Sequence, residues 1–139
     1  MSAEENKDVV RGWFEALNRH DVVAMADLVA DDFVNHSSTN QGRAGAIAEI
    51  EYWISAFPDV AATIEDLIAE GDRVVARFTT TGSHLGDFMG TPPTGRAVSF
   101  QEIDVFKLEN GMITELWAAP DVYGMLTQLG MLPDDEVEA

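Results

Sequence analysis

The chain has 139 residues, 46% of them apolar and three of them tryptophan, which is enough for one domain with a buried core and too little for two. Its 25 acidic and eight basic side chains leave a formal charge of -17, which repels nucleic acid and anionic membrane surfaces and points to a small or neutral partner. With no cysteine, disulfides, thiol nucleophiles and thiolate metal sites are excluded.

The acid excess reads either as charge that keeps the protein soluble or as adaptation to a salt-rich cytosol, where salt screens the self-repulsion. Met1 to Asp8 lack the apolar run of a signal peptide. Nowhere do about 18 apolar residues follow one another. The expected compartment is therefore the cytoplasm, with no membrane partner.

Ser2-Ala3-Glu4-Glu5 is a capping-box pattern, and Val9, Val10, Trp13, Phe14 and Leu17 recur behind it at helical spacing. This predicts a first helix that ends at Asn18. Asp21 can cap a short second helix whose buried stripe is Val22, Met25, Ala26, Leu28 and Val29. Asp32 to His36 reads as a brief extended segment, and Ser37 to Gly42 as a polar loop. A third helix, from about Arg43 to Ala56, presents Ile47, Ile50, Trp53 and Ile54, and Phe57-Pro58-Asp59 ends it.

The hydrophobic period then changes from helix to strand. Ala61 to Ile68 and Val74 to Thr81 flank Gly71-Asp72, a two-residue hairpin loop that sets Asp66 opposite Arg77. Gly82 to Gly95 holds four of the eleven glycines and the pair Pro92-Pro93, which predicts an irregular crossover. A closing helix spans about Val122 to Leu129, with Gly130 as its C-cap and Pro133 beyond. Residues 1–133 thus form one domain, and Asp134 to Ala139 an acidic tail.

Asn110-Gly111, between two apolar-rich runs, is a strong hairpin signal because both residues tolerate the positive φ of a type I′ turn. A regular ladder from that turn pairs Glu109 with Met112, Phe106 with Glu115, Asp104 with Trp117 and Glu102 with Ala119. It leaves Phe100 beside Asp121. Phe100, Glu102, Asp104, Phe106, Ile113, Glu115, Trp117 and Asp121 would then share one face. A carboxylate among apolar rings loses solvation in its charged form, so its pKa moves towards the range of a general acid or base.

Three helices followed by about four strands make an α+β layout, with helices gathered on one face of a curved, mostly antiparallel sheet. The opposite face of the Asn-Gly hairpin carries Ile103, Val105, Leu116 and Ala118. Both faces want cover, so a homodimer through the outer sheet face is expected.

Each candidate residue has a plain reading beside its chemical one. Asp121 follows a proline and precedes a helix, which suits an N-cap as well as a site at a strand end. Asp104 and Glu102 lie mid-strand, where acids are disfavoured. Solvent explains Glu102 best, whereas Asp104 is balanced between surface and pocket. His20 reads as an exposed connector. His36 and His84 could each reach a cavity or serve a structural hydrogen bond. No metal-ligand spacing, phosphate loop or dinucleotide fingerprint occurs, so neither metal nor nucleotide cofactor is expected. Phe14, Trp53, Phe88, Met89 and Met125 could line a cavity or simply fill the core.

The chain from about Asp8 to Pro133 resembles the SnoaL-like polyketide cyclase and ester cyclase family, within the nuclear-transport-factor-like cone fold. The resemblance is carried by Ala16-Leu17-Asn18-Arg19-His20-Asp21, Asp32-Phe33-Val34-Asn35-His36 and Gly82-Ser83-His84-Leu85-Gly86. It continues through Gly90-Thr91-Pro92-Pro93-Thr94-Gly95, Phe106 to Ile113, Trp117 to Asp121 and Gln128-Leu129-Gly130. It implies a cone-shaped sheet with three N-terminal helices on its concave face and a short C-terminal helix.

It also implies cofactor-free ring closure by aldol condensation, with Asp121 as general acid/base, and a small apolar carbonyl compound as substrate. His36, His84, Asp104 and Trp117 would look towards the pocket. A non-catalytic small-molecule-binding or assembly module on the same fold is the alternative. Epoxide hydrolysis would call for an arginine where Glu102 stands, and a ketosteroid-isomerase-like site for tyrosine donors, of which the chain has only Tyr52 and Tyr123.

Overall fold

The computed structural model describes residues 2–132. Helix α1 spans Ala3–Asn18 and opens on the expected capping box, in which the Ser2 hydroxyl accepts from the Glu5 amide while the Glu5 carboxylate accepts from the Ser2 amide. Helix α2 covers Val22–Ala26, capped by Asp21. It stops short of the predicted Val29. The Leu28 carbonyl accepts from the Ile113 amide at 2.8 Å, which commits the backbone there to sheet pairing, and Val29 begins strand β1, Val29–Asn35. Helix α3 runs over Gly42–Ala56.

Strands β2 (Ala61–Glu70), β3 (Arg73–Ser83), β4 (Ala97–Glu109) and β5 (Met112–Pro120) follow, and α4 occupies Val122–Leu129 with left-handed Gly130 as its C-cap. The five strands form one open, curved sheet in the order β1-β5-β4-β3-β2. Only the β1–β5 pair is parallel. The predicted extended segment at Asp32 to His36 thus supplies a fifth strand. Helix α1 packs on β2 and β3, α3 on β1 and α4 beside β4. Val10, Phe14, Val74, Phe106 and Ile113 fill the main core between helices and sheet. Pro133 and the expected acidic tail lie outside the described residues.

The first hairpin keeps the predicted register from its turn as far as Asp66 opposite Arg77, their side chains 2.7 Å apart, and then slips by one at Glu65, so that Ile64 pairs with Phe78. The second departs from it. Asn110 and Gly111 have φ of 52° and 78°, as the turn requires, and Glu109 pairs with Met112. Leu108 then pairs with Ile113, but Lys107 pairs with Glu115, so Thr114 is an extra residue in β5. Its hydroxyl donates to the Lys107 carbonyl at 3.2 Å. Beyond this bulge every partner is displaced by one, and a one-residue slip moves side chains to the opposite face. Phe106 faces Leu116, Asp104 faces Ala118 and Glu102 faces Pro120.

Candidate active site

On β4 the alternation of side chains is independent of the neighbouring strand's register. Phe100, Glu102, Asp104 and Phe106 therefore point inward as predicted, and Phe100, Asp104 and Phe106 are buried. Asp104 has alanines on both sides, Ala76 across β3 and Ala118 across β5. Asp104 itself lines a cavity of about 140 Å³ under α1 and α3.

Its walls are mostly aromatic and aliphatic, with Trp13, Phe14, Trp53, Phe78 and Phe100 prominent, and its polar lining includes Glu49, Thr80, Glu102 and Asp104. No arginine, lysine or histidine lines it. Helix α3 delivers Glu49, whose carboxylate accepts from the Asn40 side chain at 3.3 Å.

Asp104 is only 5% exposed, and its Oδ1 has no hydrogen-bond partner among the described residues. Burial, then a hydrogen bond to Glu102 and the charge of that neighbour, push the Asp104 carboxyl up to about 10. Burial also raises Glu102, while the hydrogen bond from Asp104 works in the opposite direction. The two groups titrate as a pair, and burial makes both give up their protons less readily than ordinary carboxyl groups.

Of the residues anticipated from sequence, Phe14, Trp53, Phe100 and Asp104 line this cavity. Glu102, read as a surface charge, joins them. The same-parity neighbours Phe100 and Phe106 are the signal that would have found it. Glu49 and Thr80 carried no comparable signal.

Asp121 is not in the cavity. It is exposed, and its Oδ1 accepts from the Gly124 amide at 2.9 Å as the N-cap of α4. A Cβ on Gly124 would stand 2.3 Å from Asp121 Oδ2, so the missing side chain at 124 makes room for the cap. The expectation of an apolar setting beside Phe100 and Trp117 is corrected, because the bulge at Thr114 turns the odd-numbered residues from Glu115 to Ala119 outward.

Trp117 and His36 are displaced for the same reason. They stack on the outer face with ring centroids 4.4 Å apart, and the Arg73 guanidinium lies 4.9 Å from the Trp117 ring centre. His36 Nε2 donates to Glu115 at 2.9 Å, a contact that together with Lys107 holds the Glu115 carboxyl below its usual range.

His84 is fully buried but outside the lining. It packs against Phe57 and Phe88, its Nδ1 accepts from the Thr94 amide at 3.2 Å, and its backbone joins the turn at Gly95 and Arg96. It organises the crossover loop. Phe88 stands behind the cavity wall against Trp53, with centroids 5.3 Å apart. Met125 packs in a core cluster with Phe57, Phe88 and Phe100, and Met89 is exposed. His20 is half-buried rather than exposed, and its Nε2 donates to the Val60 carbonyl at 2.8 Å.

Among the described residues no helix is long and apolar enough to cross a membrane. The family model of the SnoaL-like polyketide cyclases matches residues 7–129. The chain is 31% identical over 116 residues to nogalonic acid methyl ester cyclase of Streptomyces nogalater, covering 79% of this chain and 87% of that protein. To aklanonic acid methyl ester cyclase DauD of Streptomyces sp. strain C5 it is 28% identical over 130 residues, covering 88% and 80%.

Its structure superposes on AclR of Streptomyces galilaeus, a protein to which hydroxylase activity has been ascribed, with a TM-score of 0.86 and 33% identity over 96% of this chain and 89% of AclR. On this match of sequence and architecture along nearly its whole length, the chain belongs to the SnoaL-like polyketide cyclase family.

Proposed function

We propose that the chain closes a ring on a neutral carbonyl substrate by acid/base catalysis, with Glu102 and Asp104 as the acting groups. One observation carries the reading: two carboxyl groups from one face of β4, Glu102 and Asp104, stand on the wall of an apolar cavity, where burial raises both pKa values. Glu102, ionised, takes a proton from a carbon next to a carbonyl. The enolate carbon attacks a second carbonyl carbon of the same molecule, and the oxygen of that carbonyl takes the proton from Asp104. The proton then returns from Glu102 to Asp104, so the pair ends as it began.

A lining with three acids and no cation disfavours a free carboxylate and suits an ester. The relatives are named for methyl esters, so nogalonic acid methyl ester is the substrate to try first. Its cyclisation by the purified chain, lost in Glu102→Gln, supports the proposal. Unchanged turnover in Glu102→Gln overturns it. Tight binding without turnover favours the non-catalytic pocket protein.

The outer sheet face is proposed to pair with a second copy of the chain. Ile103 is 47% exposed and Ile68 63% exposed there, beside Val75, Val105 and Trp117. The same face holds Arg73, Arg77 and Lys107, three of the chain's eight cations. In a molecule of charge -17 this surface opposes self-association less than its surroundings do.

A further inference from the structure

The dimensions of the cavity fix how much of a substrate can enter it. Its volume of about 140 Å³ is close to that of an engineered apolar cavity, about 150 Å³, that holds one benzene ring. A fused polycyclic body does not fit in such a space. Apart from Glu102, the half-buried members of the lining among the described residues are two pairs, each one helical turn apart: Trp13 and Leu17 on α1, and Glu49 and Trp53 on α3. The cavity therefore opens between these helices, with an indole on each side.

Both indoles are held from behind. Trp13 meets the buried ring of Phe106 edge-on, with centroids 6.3 Å apart. Trp53 stacks on buried Phe57 at 5.8 Å and leans on buried Phe88 at 5.3 Å. The helices that carry them are joined through α2, where Ala16, Met25 and Ile50 pack as one buried cluster. Swinging either indole aside would forfeit close-packed ring contacts, so the mouth does not widen to suit a larger guest.

We infer that Trp13 and Trp53 set the size of the substrate: the cavity takes a reacting end no wider than one ring, and the rest of the molecule stays outside, between α1 and α3. The inference rests on the reading of this cavity as the reaction site. For a ring closure it means that only the segment that becomes the new ring reaches Glu102 and Asp104. A carbonyl flanked on both sides by fused rings is shut out, because it reaches the acids only if those rings enter with it.

The test is equilibrium dialysis of the intact chain against 2-acetylanthracene and 9-acetylanthracene, isomers with the same ketone and the same apolar body. The first presents its carbonyl at a narrow end, the second on the broad side of its middle ring. The second is expected to bind at least about tenfold more weakly. Trp53→Ala removes one side of the mouth and is expected to bring the two isomers within about threefold of each other. Trp53→Phe, which keeps a ring against Phe57 and disturbs the fold less, narrows the gap in the same direction.

Equal affinities for the isomers in the wild-type chain, no binding of either, or a gap that both Trp53 variants leave unchanged would overturn the inference without bearing on the acid/base roles. A gap that holds in a chain whose turnover survives Glu102→Gln would uphold the size limit and remove those roles.

Discussion

Glu102 and Asp104 stand two residues apart on one face of β4, and both line the same apolar cavity. Both pKa values are raised by burial, Asp104 to about 10. The proposed roles therefore give a bell-shaped pH dependence of kcat/KM, rising as Glu102 ionises and falling as Asp104 loses its proton. Glu102→Gln removes the rising limb with the base itself. Steady-state rates from pH 4 to 10 check this, and a profile flat across that range contradicts it.

Stability has its own pH signature. The folded pKa of Asp104 lies above its ordinary value of 3.8. Its contribution is thus fully present below about pH 4 and is lost as pH rises towards 10, because the unfolded chain ionises where the folded one resists. Asp104→Asn removes this loss. Urea midpoints across that window, at high salt to screen the general charge repulsion, are expected to fall less steeply for the variant than for wild type. Parallel slopes would mean that Asp104 is not held protonated.

Asp121 is the N-cap of α4 through its bond to the Gly124 amide. Asp121→Ala is expected to cost about 1 kcal/mol of stability. Ligand binding in the cavity stays as in wild type, because Asp121 does not line it. Thermal unfolding and titration of the same variant measure the two effects. Loss of binding with unchanged stability would reverse the assignment.

Much of this architecture is legible in the residues themselves. Caps at Ser2, Asp21 and Asp121, the turn at Asn110-Gly111 and the pairing of Asp66 with Arg77 depend on a few neighbouring groups, and such local chemistry can be read directly. So can the inward parity of Phe100, Glu102, Asp104 and Phe106, which follows from strand geometry alone.

The bulge at Thr114 is different. Threonine suits a regular strand, and nothing in Ile113-Thr114-Glu115 announces an extra residue. That one insertion moved Trp117 and the stretch leading to Asp121 out of the cavity's face, and carried His36 with them through its stack on Trp117. Glu49 and Thr80 reach the cavity only through tertiary packing, which no local pattern encodes.

The proposed pairing of two chains makes Ile103, exposed on the outer face, a point of attack. Ile103→Glu adds a charge to each side of the interface and is expected to shift sedimentation from dimer to monomer. A wild-type chain that sediments as a monomer at high concentration would end that proposal.

The most direct test of the account is deuterium uptake from heavy water at the activated carbon of nogalonic acid methyl ester, compared among wild type, Glu102→Gln and Asp121→Asn. Uptake reads the first proton transfer whether or not the ring closes. A fall of about a hundredfold or more in Glu102→Gln, with Asp121→Asn within about threefold of wild type, is the predicted result. Uptake that survives in Glu102→Gln and disappears in Asp121→Asn would contradict it.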